Sequence, residues 1–189
     1  MLHMKTRHLI HSLIFAIAAT LGATGTALAQ ATAVPATDVI TKSVHESWTV
    51  RCRAAVKGAV PCQLFQALND AQGNAVVEIN IFNLPAGQKA AAGVIVVAPL
   101  ETLFTQELAL RVDATKGKRY PFAWCTAVGC VSRIGITADE LNGFRQGSEA
   151  TVTIYSVAAP RQPLTLTISL KGFTAGFNAM LAANQAAAQ

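Results

Sequence analysis

Histidine almost disappears once the opening segment is set aside: of four histidines, His3, His8 and His11 lie near the start and only His45 remains. A nucleophilic hydrolase would have a single imidazole to serve as its base. No G-x-S-x-G elbow supplies a serine for it, and metal sites built from clustered imidazoles are excluded. Charge is also scarce, at 13% of the chain. Neither G-x-x-x-x-G-K nor G-x-G-x-x-G occurs, so phosphate-cradling loops have no support. Arg51/Arg53 and Lys116/Lys118/Arg119 are the only local basic groups. Neither is interleaved with aromatic residues, which make up 6% of the chain, so no nucleic-acid partner is expected.

Carboxylates are too few to suggest a glycosidase. Asp139 and Glu140 are adjacent at a helix start, where the helix dipole accounts for them, while Glu101, Glu107 and Glu149 stand alone. The four cysteines contain no C-x-x-C pair, which argues against redox activity. Their spacers of nine and four residues are also unlike structural zinc sites. No cofactor and no metal are expected.

What the chain does carry is an export signal. Lys5 and Arg7 precede an apolar run from Leu9 to Leu21, and small residues end in Ala27-Leu28-Ala29, the pattern of a secretory leader over residues 1–29 cleaved before Gln30. The apolar run is too short to span a bilayer comfortably, and no transmembrane span is expected in the mature chain. Of 15 lysines and arginines only Lys5 and Arg7 leave with the leader, so the mature chain keeps a mild excess over its 10 acidic residues. Export places Cys52, Cys62, Cys125 and Cys130 in an oxidising compartment, where thiols pair. Lys57-Gly58 lies between the first two and Ala127-Val128-Gly129 between the last two. If each pair brackets a hairpin, the local pairing Cys52 to Cys62 and Cys125 to Cys130 puts cysteines opposite each other on neighbouring strands.

Residues 30–42 are small and Thr-rich with Pro35, and read as a flexible lead-in. A single domain is expected over 43–182. Trp48, Val50 and Cys52 alternate with Ser47, Thr49 and Arg51, the period of a half-buried strand. The same alternation returns in Val77/Ile79/Ile81, Leu108/Leu110/Val112, Val152/Ile154 and Leu164/Leu166/Ile168/Leu170, whereas Gly93–Ala98 is continuously apolar, as if buried on both faces. Short strands separated by turn residues predict a mainly β fold, an antiparallel, immunoglobulin-like two-layer sandwich.

Two helices interrupt this pattern. Thr137 with Glu140 forms a capping-box signature for a helix near 138–146, with Leu141 and Phe144 inward. Phe173, Phe177, Met180 and Leu181 follow helical spacing at the C-terminus, before a tail at 183–189 expected to be disordered. With no basic residue after Lys171, this last helix is expected to pack on the sandwich rather than lie on a membrane. Among the aromatics, Trp48 belongs to a core face. Trp124 reads first as a tryptophan packed on the adjacent cystine and second as a candidate ligand contact.

Trp48-x3-Cys52, Cys62-Gln63-Leu64, Pro99-Leu100, Pro121-Phe122 before Cys125-x4-Cys130, and Ser169-Leu170-Lys171-Gly172-Phe173 together resemble the invasion-associated locus B family of exported bacterial proteins. The resemblance runs from about Ser43 to Leu181 and departs at Glu101, where the family pattern has glycine. It implies a periplasmic or surface-associated β-sandwich, linked in some pathogens to host-cell entry, and it implies no catalytic residues. The expectation is therefore a non-enzymatic envelope module, placed in the periplasm first and at the outer membrane or outside the cell second. Its expected partner is an envelope protein or glycan; a host-cell surface is the alternative, and a hydrolase with an unrecognised site the third reading.

Overall fold

A computed structural model describes residues 39–53, 62–85 and 87–187. The leader at 1–29, most of the lead-in and the Lys57-Gly58 turn candidate lie outside them. The described chain forms two antiparallel sheets and two helices.

Alternation of apolar and polar side chains builds a five-strand meander: β1 (Val39–His45), β2 (Trp48–Arg53), β3 (Cys62–Asn69), β4 (Ala75–Asn83) and β5 (Ala92–Ala98). The chain then crosses to the other layer for β6 (Leu108–Val112) and β7 (Lys118–Tyr120). It returns for β8 (Phe122–Thr126) and β9 (Gly129–Ile136), and crosses again for β10 (Glu149–Ser156) and β11 (Ala159–Ser169). The larger sheet has the order β1-β2-β3-β4-β5-β9-β8 and the smaller β11-β10-β6-β7.

Inward side chains from both sheets form one core. Trp48, Leu64, Ile79, Ile81 and Val96 of the large sheet meet Leu108, Val152, Leu166 and Ile168 of the small one, all essentially inaccessible to water. Every buried side-chain polar atom among the described residues has a hydrogen-bond partner, so the space between the layers is committed to packing.

The small sheet is too narrow to cover the large one, and helices complete the layer. α1 (Ala138–Gln146) begins where the sequence places it: the Thr137 side chain accepts from the Glu140 amide while the Glu140 carboxylate accepts from the Thr137 amide. Phe144 is its buried residue. α2 (Phe173–Ala187) lays Phe173, Gly176, Phe177 and Met180 over Trp48 and Leu64. The Trp48 and Phe173 rings meet edge to face at 5.3 Å.

Two boundaries and one burial pattern differ from expectation. The domain starts earlier than 43, because Val39, Ile40 and Thr41 already pair with Arg53, Cys52 and Arg51; the polar residues Thr41 to Ser43 and a bulge between them hide the alternation. The expected tail at 183–189 is helical through Ala187. Alanines favour helix there, and Asn184 is buried, donating to the Cys62 carbonyl and accepting from the Cys62 amide. β5 is not buried on both faces: Ile95 and Val97 point to an outer face that no described element covers. The backbone at Glu101 is not left-handed, so this loop has no need of the glycine found there in the family pattern.

Both disulfides are local. Cys52 faces Cys62 across β2 and β3, Cys125 faces Cys130 across β8 and β9, and the Cα atoms are 3.9 Å apart in each pair. Loops this short contribute roughly 2 to 3 kcal/mol each in the chain-entropy picture.

The turn into α2 requires glycine. Gly172 has φ +81°, and a β-carbon there would run into the backbone carbonyl of His45. Gly172→Ala is expected to destabilise the fold by about 2 to 4 kcal/mol, well beyond the ordinary cost of a left-handed alanine, because backbone must also move. Urea unfolding of the oxidised protein measures this; a loss below about 1 kcal/mol would show that the turn yields easily.

Candidate functional site

The outer face of the large sheet, which no described helix or strand covers, is uneven: Phe65, Asn80 and Val131 on it are buried, while Arg53, Trp124 and Arg133 are exposed. Strand registers place its side chains in rows. One row runs Arg133, Ile95, Asn80, Phe65 and Thr49 across β9, β5, β4, β3 and β2. The next runs Trp124, Val131, Val97, Glu78 and Ala67 across β8, β9, β5, β4 and β3. Beyond the first row, Phe82 lies over Gly93, where any β-carbon would strike its ring.

Two arginines on this face lie over aromatic rings. Arg51 Cζ lies 3.2 Å from the centroid of Phe65, and Arg133 Cζ lies 5.9 Å from that of Trp124. Such stacking occupies the flat side of a guanidinium and leaves its N–H edge available. Among the described residues no carboxylate comes within 4.0 Å of Arg51, Arg53 or Arg133. Arg51, Arg53, Gln63, Glu78, Asn80 and Val97 line a groove of about 480 Å³ on this face.

Trp124 is 44% exposed, which corrects the expectation that it packs on the cystine. Phe122 pairs with Ser132, yet Trp124 pairs with Val131, so a bulge at Ala123 breaks the alternation. Phe122 is therefore buried inward while Trp124, two residues on, turns outward. Trp48 is fully buried, as its core face predicts, and its Nε1 donates to the Ser169 carbonyl at 2.8 Å.

The other candidates disperse. His45 sits at the end of β1, its Nε2 3.0 Å from the Ser43 hydroxyl. Glu149 opens β10, whereas Glu101 contacts the hairpin beyond the far end of that strand, about 23 Å away at 3.3 Å per residue. Glu140 is absorbed by structure: Lys118 Nζ lies 2.6 Å from its carboxylate, and the Tyr120 hydroxyl donates to it at 3.3 Å. Partial burial alone would raise the Glu140 pKa, but the bonds from Lys118 and Thr137 outweigh it and hold the carboxyl below its ordinary value of 4.5. Burial first, and then the Glu140 charge, push the Tyr120 phenol up to about 12. These groups border a smaller apolar pocket of about 260 Å³ between α1 and β6–β7. No group of His, Cys, Asp and Glu among the described residues is arranged to hold a metal ion.

The sandwich's edges are poorly suited to adding a strand. β1 carries Lys42 and a bulge, β8 follows Pro121 and is tied by its cystine, β11 contains Pro160 and Pro163, and β7 has three residues.

This arrangement, two unequal antiparallel sheets with paired local disulfides and a closing C-terminal helix, is that of a two-layer β-sandwich. The family model described as "Invasion associated locus B (IalB) protein" matches residues 48–181, and the chain belongs to that family. An invasion protein B homolog of Brucella abortus (strain 2308) is 28% identical over 138 residues, covering 72% of this chain and 77% of that protein. A second homolog, from Brucella abortus biovar 1 (strain 9-941), gives the same values. The crystal structure of invasion associated protein B from Bartonella henselae shares the fold with a TM-score of 0.63 at 21% identity, covering 77% of this chain and 99% of that one. The family is an invasion-associated one and not a known enzyme class.

Two outcomes follow from this geometry. Trp124→Ala should change stability by no more than about 0.5 kcal/mol, whereas Trp48→Ala should cost about 3 to 5 kcal/mol; equal losses in urea unfolding would place Trp124 in the core. Because the folded-state pKa of Glu140 is lowered, its contribution to stability is present above its unfolded value and is lost as pH falls through the folded one. Glu140→Gln should therefore flatten the decline in unfolding midpoint below about pH 4.5; an unchanged profile would remove Glu140 from the acid response.

Proposed function

We propose that this protein is an exported, non-enzymatic binding module of the cell envelope, working in the periplasm, and that it binds through the outer face of its large sheet. The observation that carries this reading is the pairing of exposed Trp124 and stacked guanidiniums on a sheet face that no described element covers. Export is supported by the leader pattern at 1–29 and by two disulfides, which persist in oxidising compartments. Among the described residues no helix is long and apolar enough to cross a membrane. The reading as a binder rests on where side chains are spent: the titratable cluster at Glu140 is engaged in capping and ion pairing, while the outer-face arginines point outward.

A photo-crosslinking residue placed at Trp124 in living cells should capture an envelope component, and the same residue at Thr165, on the outer side of β11, should not. Equal capture from both positions, or none from Trp124, would overturn the assignment of the binding face.

A second reading, host-cell contact, is favoured by the names of the Brucella and Bartonella relatives. It requires surface exposure, which the periplasmic reading does not. Protease added to intact cells should leave the protein whole; its degradation would favour host contact.

A further inference from the structure

We infer that the outer face takes an acidic polysaccharide, an extended sugar chain bearing repeated carboxylate or phosphate groups. The inference rests on the binding-face reading above and adds the chemistry of the ligand.

Charge comes first. Arg51, Arg53 and Arg133 share this face with one acidic residue, Glu78, and none of the three is paired with a carboxylate among the described residues. Guanidinium edges match the geometry of carboxylate and phosphate, and stacking on Phe65 and Trp124 holds two of them in place before any ligand arrives. The ligand is therefore an anion.

Spacing comes next. Arg51 on β2 and Arg133 on β9 are four strands apart, about 19 Å at the usual interstrand distance. No small anion bridges that gap. A chain that crosses the strands does, passing the amide side chains of Gln63 and Asn80 that line the groove between.

The remaining question is which chain. An extended peptide binds a sheet by hydrogen-bonding to a free edge, but on a sheet face the backbone groups are already consumed by the ladders, and the edges here are blunted by prolines, bulges and lysine. A bilayer would need protruding apolar side chains. Of the exposed large apolar residues, Val39, Val44 and Trp124 lie on this face and Val128 borders its groove, but they sit toward its two edge strands with arginines and amides between them rather than as one patch; Ile40, Leu100, Phe104 and Val157 lie elsewhere. A polysaccharide needs only side-chain donors, charge and an aromatic plane for the apolar side of a sugar ring, and Trp124 offers that plane at the end of the Arg133 side.

The oxidised protein, purified after export, should be titrated calorimetrically with polygalacturonate, neutral dextran, polyglutamate and phosphatidylglycerol vesicles. Polygalacturonate should bind, with affinity falling as salt rises, and dextran should not. Arg51→Gln with Arg133→Gln should weaken binding at least about tenfold, and Trp124→Ala about fivefold, with unfolding midpoints unchanged. Equal or tighter binding of polyglutamate or vesicles, lost in the same variants, would overturn the saccharide assignment while leaving the binding face standing. If no probe binds, or if binding is indifferent to all three substitutions, both the ligand class and the face are refuted.

Discussion

The carbonyl of Ser169, at the end of β11, accepts from Trp48 Nε1 at 2.8 Å and from Gln66 Nε2 at 2.9 Å, while the Ser169 amide donates to Gln66 Oε1. This small knot ties the small sheet's last strand to β2 and β3 of the large sheet, at the place where both sheets would otherwise part. Gly172 then lets the chain turn against the His45 carbonyl, and Phe173 drops onto Trp48. α2 is thereby aimed along the inner side of β1–β4, where the small sheet does not reach. Without this junction the part of the inner face that the small sheet does not reach would lie open. The polar bonds here are buried or half-buried, so a partner missing from either side leaves an unsatisfied group in the core, a larger cost than the bond itself contributes.

Closing the inner side so completely concentrates the protein's unspent chemistry on the outer one. Two of the small sheet's four basic residues are engaged: Lys118 holds Glu140, and Arg119 donates to the Gln106 carbonyl. On the large sheet Arg51 and Arg133 rest on rings rather than on carboxylates. A stacked guanidinium loses little conformational freedom on meeting an anion, because the ring has already restricted it. A chain with 13% charged residues thus carries two guanidiniums on this face whose orientation is already restricted.

Much of the architecture was legible in the sequence because period-two alternation is a direct consequence of strand geometry. Trp48/Val50/Cys52, Val77/Ile79/Ile81 and Leu166/Ile168 show it plainly, and Thr137 with Glu140 marks the helix start through the hydrogen bonds it makes. The site was much less legible. Registers across four strands decide that Arg133, Ile95, Asn80 and Phe65 form a row, and nothing local in the sequence states a register. Arg51 was visible only as half of a basic pair, not as a guanidinium lying on a phenylalanine twelve or more residues away along the chain in a neighbouring strand. The run Gly93–Ala98 misled because an apolar outer face and a buried one have the same composition. Asn184 was hidden in an Ala/Gln-rich segment whose composition suggests disorder, although its amide clamps the backbone beside a cystine.

The bulge at Ala123 gives the outer face a tolerance to substitution that the core lacks. The same residues in a regular strand, with no bulge, would send Phe122 and Trp124 to the same side, and two large rings would compete for one inward position. With it, a single codon's worth of backbone separates a side chain that the fold requires from one that it does not. The outward residue can be exchanged without disturbing the core, whereas Phe122 and the cystine behind it cannot.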